Sequence, residues 1–533
     1  MADDGSWVKW ALLAVIAGVF LYLFRVNQQL SGTPDEVRRL SGPRWTPELL
    51  RETYERLERD PIDYTDRLPP RLDRRYIVTG GSGLVGGHIV QQLLARGTPP
   101  SHIRILDIRR LERPGLLSRG VDFAHTNITS LTSVSAAFSR PWPSSCCHLP
   151  LTVFHTAAVI IASDRSSHTY AFPERVNVAG TANVLAAAKE AGASVFSATS
   201  SASIAIRSVG AWTAPWESEP RGFFQVLDTR DFALPVRSRG EFFGNYPATK
   251  ALAEKLVCDA DEEGFRTGAI RPANGVYGDP TDNTVGDPLA REVMPTWVSH
   301  IVQSFVHAAN VAVAHLHHEA ALVQQDTSSS PTHSGRPFIV TDPNPPITYG
   351  DIYLAIATLT RHRFVVVNLP PVLLLVVSHV FEIYCEVVHF LSSYTTTPSS
   401  SSLLSWLAKL AKKILPPLRG DLQHLKPGLF SITTHVVGSN AEIGKPVSEG
   451  GLGYAGLLTT LEGVVGEVLE WNREHEVRQA SEDELVDEAG GEGEKGGKVV
   501  VVKTKKRYTT SVSLAAEIEK LALVGHHQVQ FES

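Results

Sequence analysis

The sequence predicts an α/β protein built on a doubly wound parallel sheet, with a smaller, mostly helical C-terminal region and one N-terminal transmembrane helix. Three observations predict it. A short β-branched run, Tyr76–Thr79, enters a Gly-rich turn and leaves it in an amphipathic helical pattern. Apolar strand-like runs then alternate with helical patterns, the mark of βαβ units and a parallel sheet. The chain also begins with an unbroken apolar run, Trp10–Phe24.

That run lies between Lys9 and Arg25, and extends back to Trp7 if Lys9 snorkels. Asp3 and Asp4 precede it and no small-residue cleavage site follows, so it reads as an uncleaved anchor. Arg25, Arg38, Arg39 and Arg44 on its C-terminal flank place the bulk of the chain in the cytosol. The sequon Asn127-Ile128-Thr129 is therefore expected to carry no glycan. Residues 1–25 read as the anchor and 26–73 as a polar linker with one or two short helices. Residues 74–280 read as the sheet domain and 281–474 as an apolar substrate-binding and membrane-associated region. Residues 475–533 read as a low-complexity tail, partly disordered by composition, with 475–498 rich in Glu, Gly and Lys. Thr327–Ser334 and Ser392–Ser402 read as surface insertions.

The 533 residues are 43% hydrophobic and 20% charged, ample for a sizeable core. Lys+Arg total 50 against 56 Asp+Glu, a net charge of −6, which argues against a nucleic-acid partner. The cysteines Cys146, Cys147, Cys258 and Cys385 show no C-x-x-C spacing, against both a disulfide scaffold and a structural zinc site.

The first strand leads into Thr79-Gly-Gly-Ser-Gly-Leu-Val-Gly86. Gly80 permits a tight turn, Gly83 lets the backbone approach a pyrophosphate, and Gly86 lets the helix pack on the strand. The helix N-terminus offers N–H donors and positive dipole to phosphates. Val85, Ile89, Leu93 and Leu94 form that helix's apolar face. A second strand, Ile103–Asp107, ends in an acid placed to grip the adenosine ribose hydroxyls. Asp107 favours NAD by repelling a 2′-phosphate, while Arg109 and Arg110 keep NADP as the alternative. The strand Leu151–His155 leads to Thr156-Ala157-Ala158, small residues that let a ribose and nicotinamide lie against the backbone. Val176–Thr181 opens an Ala-rich helix, and Ser194–Thr199 is a further strand. Together these make a Rossmann-like sheet with its ligand at the strands' carboxyl ends.

Ser200 and Ser201 follow that strand, and Tyr246-Pro-Ala-Thr-Lys250 opens a later helix. Tyr and Lys four apart share one helical face. A free phenol titrates near pH ~10, and a nearby ammonium lowers that value. A strand-end Ser can hydrogen-bond the substrate oxygen. Such a set can take a proton from an alcohol while a nicotinamide accepts hydride.

In this order the motifs resemble the extended short-chain dehydrogenase/reductase superfamily. Within it they resemble the 3β-hydroxysteroid dehydrogenase group, including the sterol-4α-carboxylate 3-dehydrogenases (decarboxylating). The likeness rests on residues 79–86, Phe154–Ala158, Asn177–Thr181, Thr199–Ser201, Tyr246–Lys250 and Arg271–Gly278. It continues through Phe305–Leu316, Leu425–Thr434 and Leu452–Tyr454, so it covers about residues 74–474. The resemblance implies catalytic roles for Ser201, Tyr246 and Lys250. It also implies cofactor contacts at Thr79, Gly80, Gly83, Leu84, Val85, Gly86, Asp107, Ala157, Tyr246 and Lys250. It implies oxidation of a sterol-like 3β-hydroxyl with NAD at the endoplasmic reticulum membrane, by a single-pass protein whose catalytic domain faces the cytosol. Candidate partners are a second copy of the chain or other sterol-pathway enzymes. Alternatives are a 3β-hydroxy-Δ5-steroid dehydrogenase/isomerase, a carbonyl reductase of secondary metabolism, and a catalytically silent nucleotide-binding membrane scaffold. The chain departs from the family at Asn127 and Ala309, where acids are usual, and in the stretch between Ser201 and Tyr246, an enlarged loop near the site.

The substrate half is poor in cations. From Asp279 to Gly335 the only Lys or Arg is Arg291, and from Phe364 to Leu391 there is none, which disfavours a sugar-diphosphate substrate. The stretch 364–391 reads as a broken helix lining an apolar pocket or lying at the membrane, with a second span as the alternative. Leu403–Leu418 reads as an interfacial helix. The cluster His315-Leu-His317-His318-Glu319 is set aside as a metal site, because residues two or three apart on a helix converge poorly. No metal is expected.

Overall fold

The computed structural model describes residues 6–110, 119–324, 333–393, 418 and 420–489. Helix α1 (Ser6–Leu30) is longer than the apolar run that predicts it. Trp10, Phe20 and Leu21 stand about 70% exposed, whereas Val26 and Leu30 are buried with Leu375 and Phe430. The anchor therefore does not end at residue 25, because its last turns are rooted in the protein body.

The segment 26–73, read above as a linker, is also built in. Helix α2 (Pro47–Arg59) starts with Pro47 at its first position and the Thr46 side chain accepting the Leu49 N–H. Leu50 and Leu57, with Trp45, bury against Val464 and Val468 near the C-terminus. Their seven-residue spacing in a polar run is the sequence trace of that face.

Seven parallel strands form the central sheet: β1 (Arg75–Thr79), β2 (Ile103–Asp107), β3 (Asp122–His125), β4 (Leu151–His155), β5 (Ala193–Thr199), β6 (Arg266–Pro272) and β7 (Pro337–Val340). Their order is β7-β6-β5-β4-β1-β2-β3. The order reverses between β1 and β4, where a ligand crevice opens outside the strand ends. Helices α3 (Leu84–Ala95) and α4 (Gly180–Glu190) are crossovers, and α5 (Asn245–Asp259) leads into β6. Helix α6 (Ala308–Gln324) packs against α3 and under β5 and β6. The sheet unit thus reaches past residue 280 to recruit α6 and β7. The His cluster explains this packing. Ser197 Oγ bonds Nδ1 of both His315 and His318 at 2.8 Å, and Thr199 Oγ1 bonds His315 Nε2 at 2.8 Å. These histidines peg α6 to β5, and burial drives His318 down to about 3.

The C-terminal region adds strands to its helices. Ile347–Thr348, Val302–Gln303, His435–Gly438 and Phe224–Leu227 form a four-stranded sheet. It ties the enlarged 202–245 loop to the C-terminal half. Helix α7 (Tyr349–Leu359) is capped by Thr348 and Asp351. The stretch 364–391 is not a broken helix. It is a strand, Val365–Asn368, then a continuous helix α8 (Pro371–Ser393), with the Pro pair at the helix start, where it is tolerated. Helix α9 (Thr460–Ala489) runs past the boundary drawn at 474, so the first part of the tail is helical. Residues 490–533, the interfacial stretch 403–417 and most of both surface insertions lie outside the described residues.

Glu467 on α9 is buried beside Asp282, which accepts the N–H groups of Thr284 and Val285 at 2.7 Å. Burial pushes both carboxyls up, Glu467 far above the carboxylate range. A raised folded value means the folded state binds the proton more tightly, so stability falls as pH rises above the unfolded range, near ~4.5. Glu467→Gln removes the Glu467 share of this slope and leaves that of Asp282. Its stability is expected to match the parent near pH 5 and to exceed it at pH 8 by up to about 4 kcal/mol, about 1.4 kcal/mol for each pH unit over which the buried carboxyl keeps its proton. Thermal unfolding in detergent across that range checks it.

Candidate active site

The site is assembled where β1, β2, β4 and β5 end. At the Gly-rich turn, Gly80 has φ +70°, and a Cβ there would stand 2.8 Å from the Ala157 nitrogen. A Cβ at Gly86 would overlap the Gly80 carbonyl oxygen and stand 2.7 Å from Thr156 Oγ1. Glycine at both positions lets the turn, β4's exit and α3 meet backbone to backbone. At Gly83 a Cβ would approach only the Gly80 oxygen, at 3.1 Å. No side chain caps α3, so the first-turn N–H groups at Leu84, Val85 and Gly86 have no acceptor within the helix. This cradle fits a diphosphate. Gly86→Ala is expected to weaken NAD binding at least about tenfold by displacing the turn. Calorimetric titration of the solubilised chain measures it.

Asp107, at the end of β2, is buried at the rim of this cradle. Its Oδ2 accepts the Ser82 N–H at 3.1 Å and its Oδ1 the Arg109 N–H at 3.0 Å. Burial raises its pKa and these two backbone donors oppose the rise. Each oxygen retains a lone pair for a ribose hydroxyl. Thr79 differs from expectation: its side chain is fully buried, with Oγ1 bonded to His155 Nδ1 at 2.7 Å. His155 Nε2 continues to Thr181 Oγ1 at 2.9 Å. The Thr79 hydroxyl is a strut joining β1, β4 and α4, so any cofactor contact from this residue must be by its backbone.

Ser201 follows β5. Its Oγ accepts the Ser203 N–H at 3.2 Å and pairs with Ser203 Oγ at 2.7 Å. Ser200 Oγ instead is buried with no partner among the described residues. Tyr246 and Lys250 occupy successive turns of α5. Burial pushes Tyr246 up to about 12, with Ser201 opposing. Burial pulls Lys250 down to about 8, with Glu254 opposing. Lys250 Nζ donates to the Thr199 carbonyl at 2.7 Å. Burial is the larger influence on Tyr246, and the Lys250 ammonium is directed at the end of β5.

Asn177 is a residue of this site to which the sequence assigned no role. It lies in a π-helical turn, Arg175–Ala179. Its Oδ1 accepts the Val159 N–H at 2.9 Å, and its Nδ2 donates to Val159 O at 3.0 Å and to Thr249 Oγ1 at 3.1 Å. It links the loop after β4 to helix α5. Its signals were an amide in an otherwise apolar, small-residue stretch and its place at the head of Asn177–Thr181, one of the stretches that carry the family likeness. Asp164 is the second: its carbonyl accepts the Asn245 N–H and its carboxylate pairs with the buried Lys426 at 2.6 Å.

Residues 77–213 match the model of the 3-beta hydroxysteroid dehydrogenase/isomerase family, and residues 151–306 match that of the Male sterility protein family. The chain is 29% identical over 276 residues to a 3-beta-hydroxysteroid dehydrogenase of Mycolicibacterium neoaurum, covering 51% of this chain and 66% of that protein. It is 28% identical over 280 residues to the human sterol-4-alpha-carboxylate 3-dehydrogenase, decarboxylating, covering 51% and 63%. It is 30% identical over 243 residues to a 4-hydroxy-2-methyl-3-oxo-4-farnesyl-3,4-dihydroquinoline-1-oxide ketoreductase of Stigmatella aurantiaca, covering 44% and 62%. In each case the match spans just under two thirds of the relative.

Proposed function

We propose that this chain, a relative of the 3β-hydroxysteroid dehydrogenase/isomerase family, is an NAD-dependent oxidoreductase acting on the 3β-hydroxyl of a sterol-like lipid. One observation carries the reading: Lys250 Nζ bonds the Thr199 carbonyl at 2.7 Å, which holds the Tyr246–Lys250 helix against the strand end that leads into Ser201, at the carboxyl edge of the sheet where the glycine turn also lies. When bound, the nicotinamide supplies the hydride acceptor. The residues to hold NAD are the Gly80–Gly86 turn, Asp107, the Ala157 backbone and Lys250. Ser201 orients the substrate hydroxyl, and Tyr246 takes its proton at the phenol oxygen. To act as base the phenol must first lose its own proton to solvent; burial disfavours the phenolate so formed, and its charge is discharged when the substrate proton arrives. Lys250, one turn away, supplies the nearest ammonium on the same helix. Ser203 and Asn177 position Ser201 and the start of α5.

If the substrate carries a 4α-carboxylate, oxidation leaves a β-keto acid. The C4–carboxyl electron pair then moves into the new carbonyl, and CO2 leaves without a metal. The anchor α1 and the positive flank after it support a membrane protein with its catalytic domain in the cytosol, at the endoplasmic reticulum in this reading. The test is turnover by detergent-solubilised chain of a 4α-carboxy sterol with NAD and with NADP, following reduced cofactor and CO2. Reduced cofactor with CO2 supports the decarboxylating reading. Reduced cofactor alone keeps the dehydrogenase and discards decarboxylation. Activity only towards ketones with reduced cofactor would favour the ketoreductase-like alternative.

A further inference from the structure

We propose that a cavity between the enlarged loop and α5 binds the phosphate monoester of an apolar alcohol, as a second ligand site apart from the diphosphate cradle. The loop between Ser201 and Tyr246 builds it. Residues 231–237 lie across α5 and leave a cavity of about 60 Å³ against Ile204, Ala251 and Glu254. Two guanidiniums, Arg207 and Arg237, line that space, and Leu234 and Val236 form its apolar rim. No residue of the Gly80–Gly86 turn lines it.

Three observations commit the cavity to that ligand. The first is charge. Arg237 Nη1 donates to the Ile206 and Glu241 carbonyls at 3.2 and 3.3 Å, and its Nη2 to the Ile204 carbonyl. These acceptors are neutral. Among the described residues neither Arg237 nor Arg207 has a carboxylate within ion-pair distance. Burial, with Arg207 beside it, pulls Arg237 down to about 10. The nearby carboxylates are engaged elsewhere. Asp231 and Glu254 bond Arg271, and Glu241 accepts the Ser238 N–H and hydroxyl at 2.8 and 2.7 Å. Two guanidiniums on one cavity match a phosphate monoester, which carries about −1.5 to −2 at neutral pH, better than a singly charged carboxylate. The second is size. The volume equals the share of roughly two waters in the liquid, which seats a headgroup and excludes a sterol ring system. The third is the rim. Leu234 and Val236 stand 59% and 38% exposed beside the guanidiniums, an apolar path for a tail that the cavity cannot hold. The carbonyls that Arg237 grips lie just after Ser201 and just before α5, so the cavity adjoins the catalytic groups. The proposal rests on the fold and not on the oxidoreductase reading.

The test is calorimetric titration of the full chain in dodecyl maltoside with hexyl phosphate, without and with NAD. One saturable site is expected, unaffected by NAD. Hexanoate, which lacks the second charge, and inorganic phosphate, which lacks the tail, are each expected to bind at least about tenfold more weakly. Arg207→Gln and Leu234→Glu are each expected to weaken hexyl phosphate at least about fivefold. Both positions are exposed, and Arg207 bonds Gln225 through its main chain. A cooperative thermal transition at the parent's temperature shows that each variant is folded. If Arg207→Gln fails that check, Leu234→Glu decides. No saturable binding below about 10 mM overturns the proposal. So does hexanoate binding as tight as hexyl phosphate, or affinity changed less than about twofold in a folded variant. Displacement by NAD also overturns it, because the phosphate would then occupy the glycine cradle. Turnover is assayed separately, so failure of either reading leaves the other intact.

Discussion

Tyr246→Phe is expected to lower kcat by about 10²–10⁴-fold, the usual contribution of a positioned acid–base group, with NAD affinity changed less than about twofold. The ring is buried and keeps its packing, because the substitution removes only the hydroxyl. Ser201 retains a partner in Ser203, 2.7 Å away, so the strand end does not collapse. Steady-state kinetics and calorimetry on the solubilised chain separate the two effects. Unchanged turnover would remove Tyr246 from the proton path. Lost NAD binding would mean that the phenol is part of the cofactor site before it is a base.

Arg271→Met is expected to cost about 3–5 kcal/mol of stability, because it strands two carboxylates around a buried position. Arg271 is 1% exposed. It donates to Glu254 at 2.6 and 2.8 Å and to Asp231 at 2.7 Å. These three residues come from β6, from α5 one turn beyond Lys250, and from the enlarged loop. The guanidinium therefore fastens the loop to the helix that carries Tyr246 and Lys250. Adding Glu254→Gln to Arg271→Met should recover part of the loss, since it neutralises the orphaned carboxylate. Thermal unfolding of the two single variants and the double variant measures the coupling. A loss under about 1 kcal/mol for Arg271→Met would show that the loop is held by its strand pairing with His435–Gly438 alone.

What could be read from the sequence was local. Gly80, Gly83 and Gly86 were legible because backbone conformation and close approach leave a mark on single residues. The βα alternation was legible because its two periods differ, and the order of Gly turn, acid, Ser and Tyr/Lys pair narrowed the chemistry. What was not legible depends on partners far apart in the chain. Leu50 and Leu57 look like a linker's occasional leucines until Val464 and Val468 face them. The direction of Lys250 depends on where β5 ends, and the strut role of Thr79 on His155 in the neighbouring strand. Pro370-Pro371 looked like a break inside a helix and instead separates a strand from a helix start. The carboxylates of Glu382 and Glu386 on α8 became interpretable only once Arg165 and His168 stood opposite them.

The most direct test of the central claim follows a 3α-deuterated 3β-hydroxy sterol through one turnover by the detergent-solubilised chain with NAD. The account predicts a 3-keto product and one deuterium in the reduced nicotinamide per ketone formed, both lost in Tyr246→Phe. Ketone without deuterium transfer, or no ketone while NAD binds normally, would contradict it.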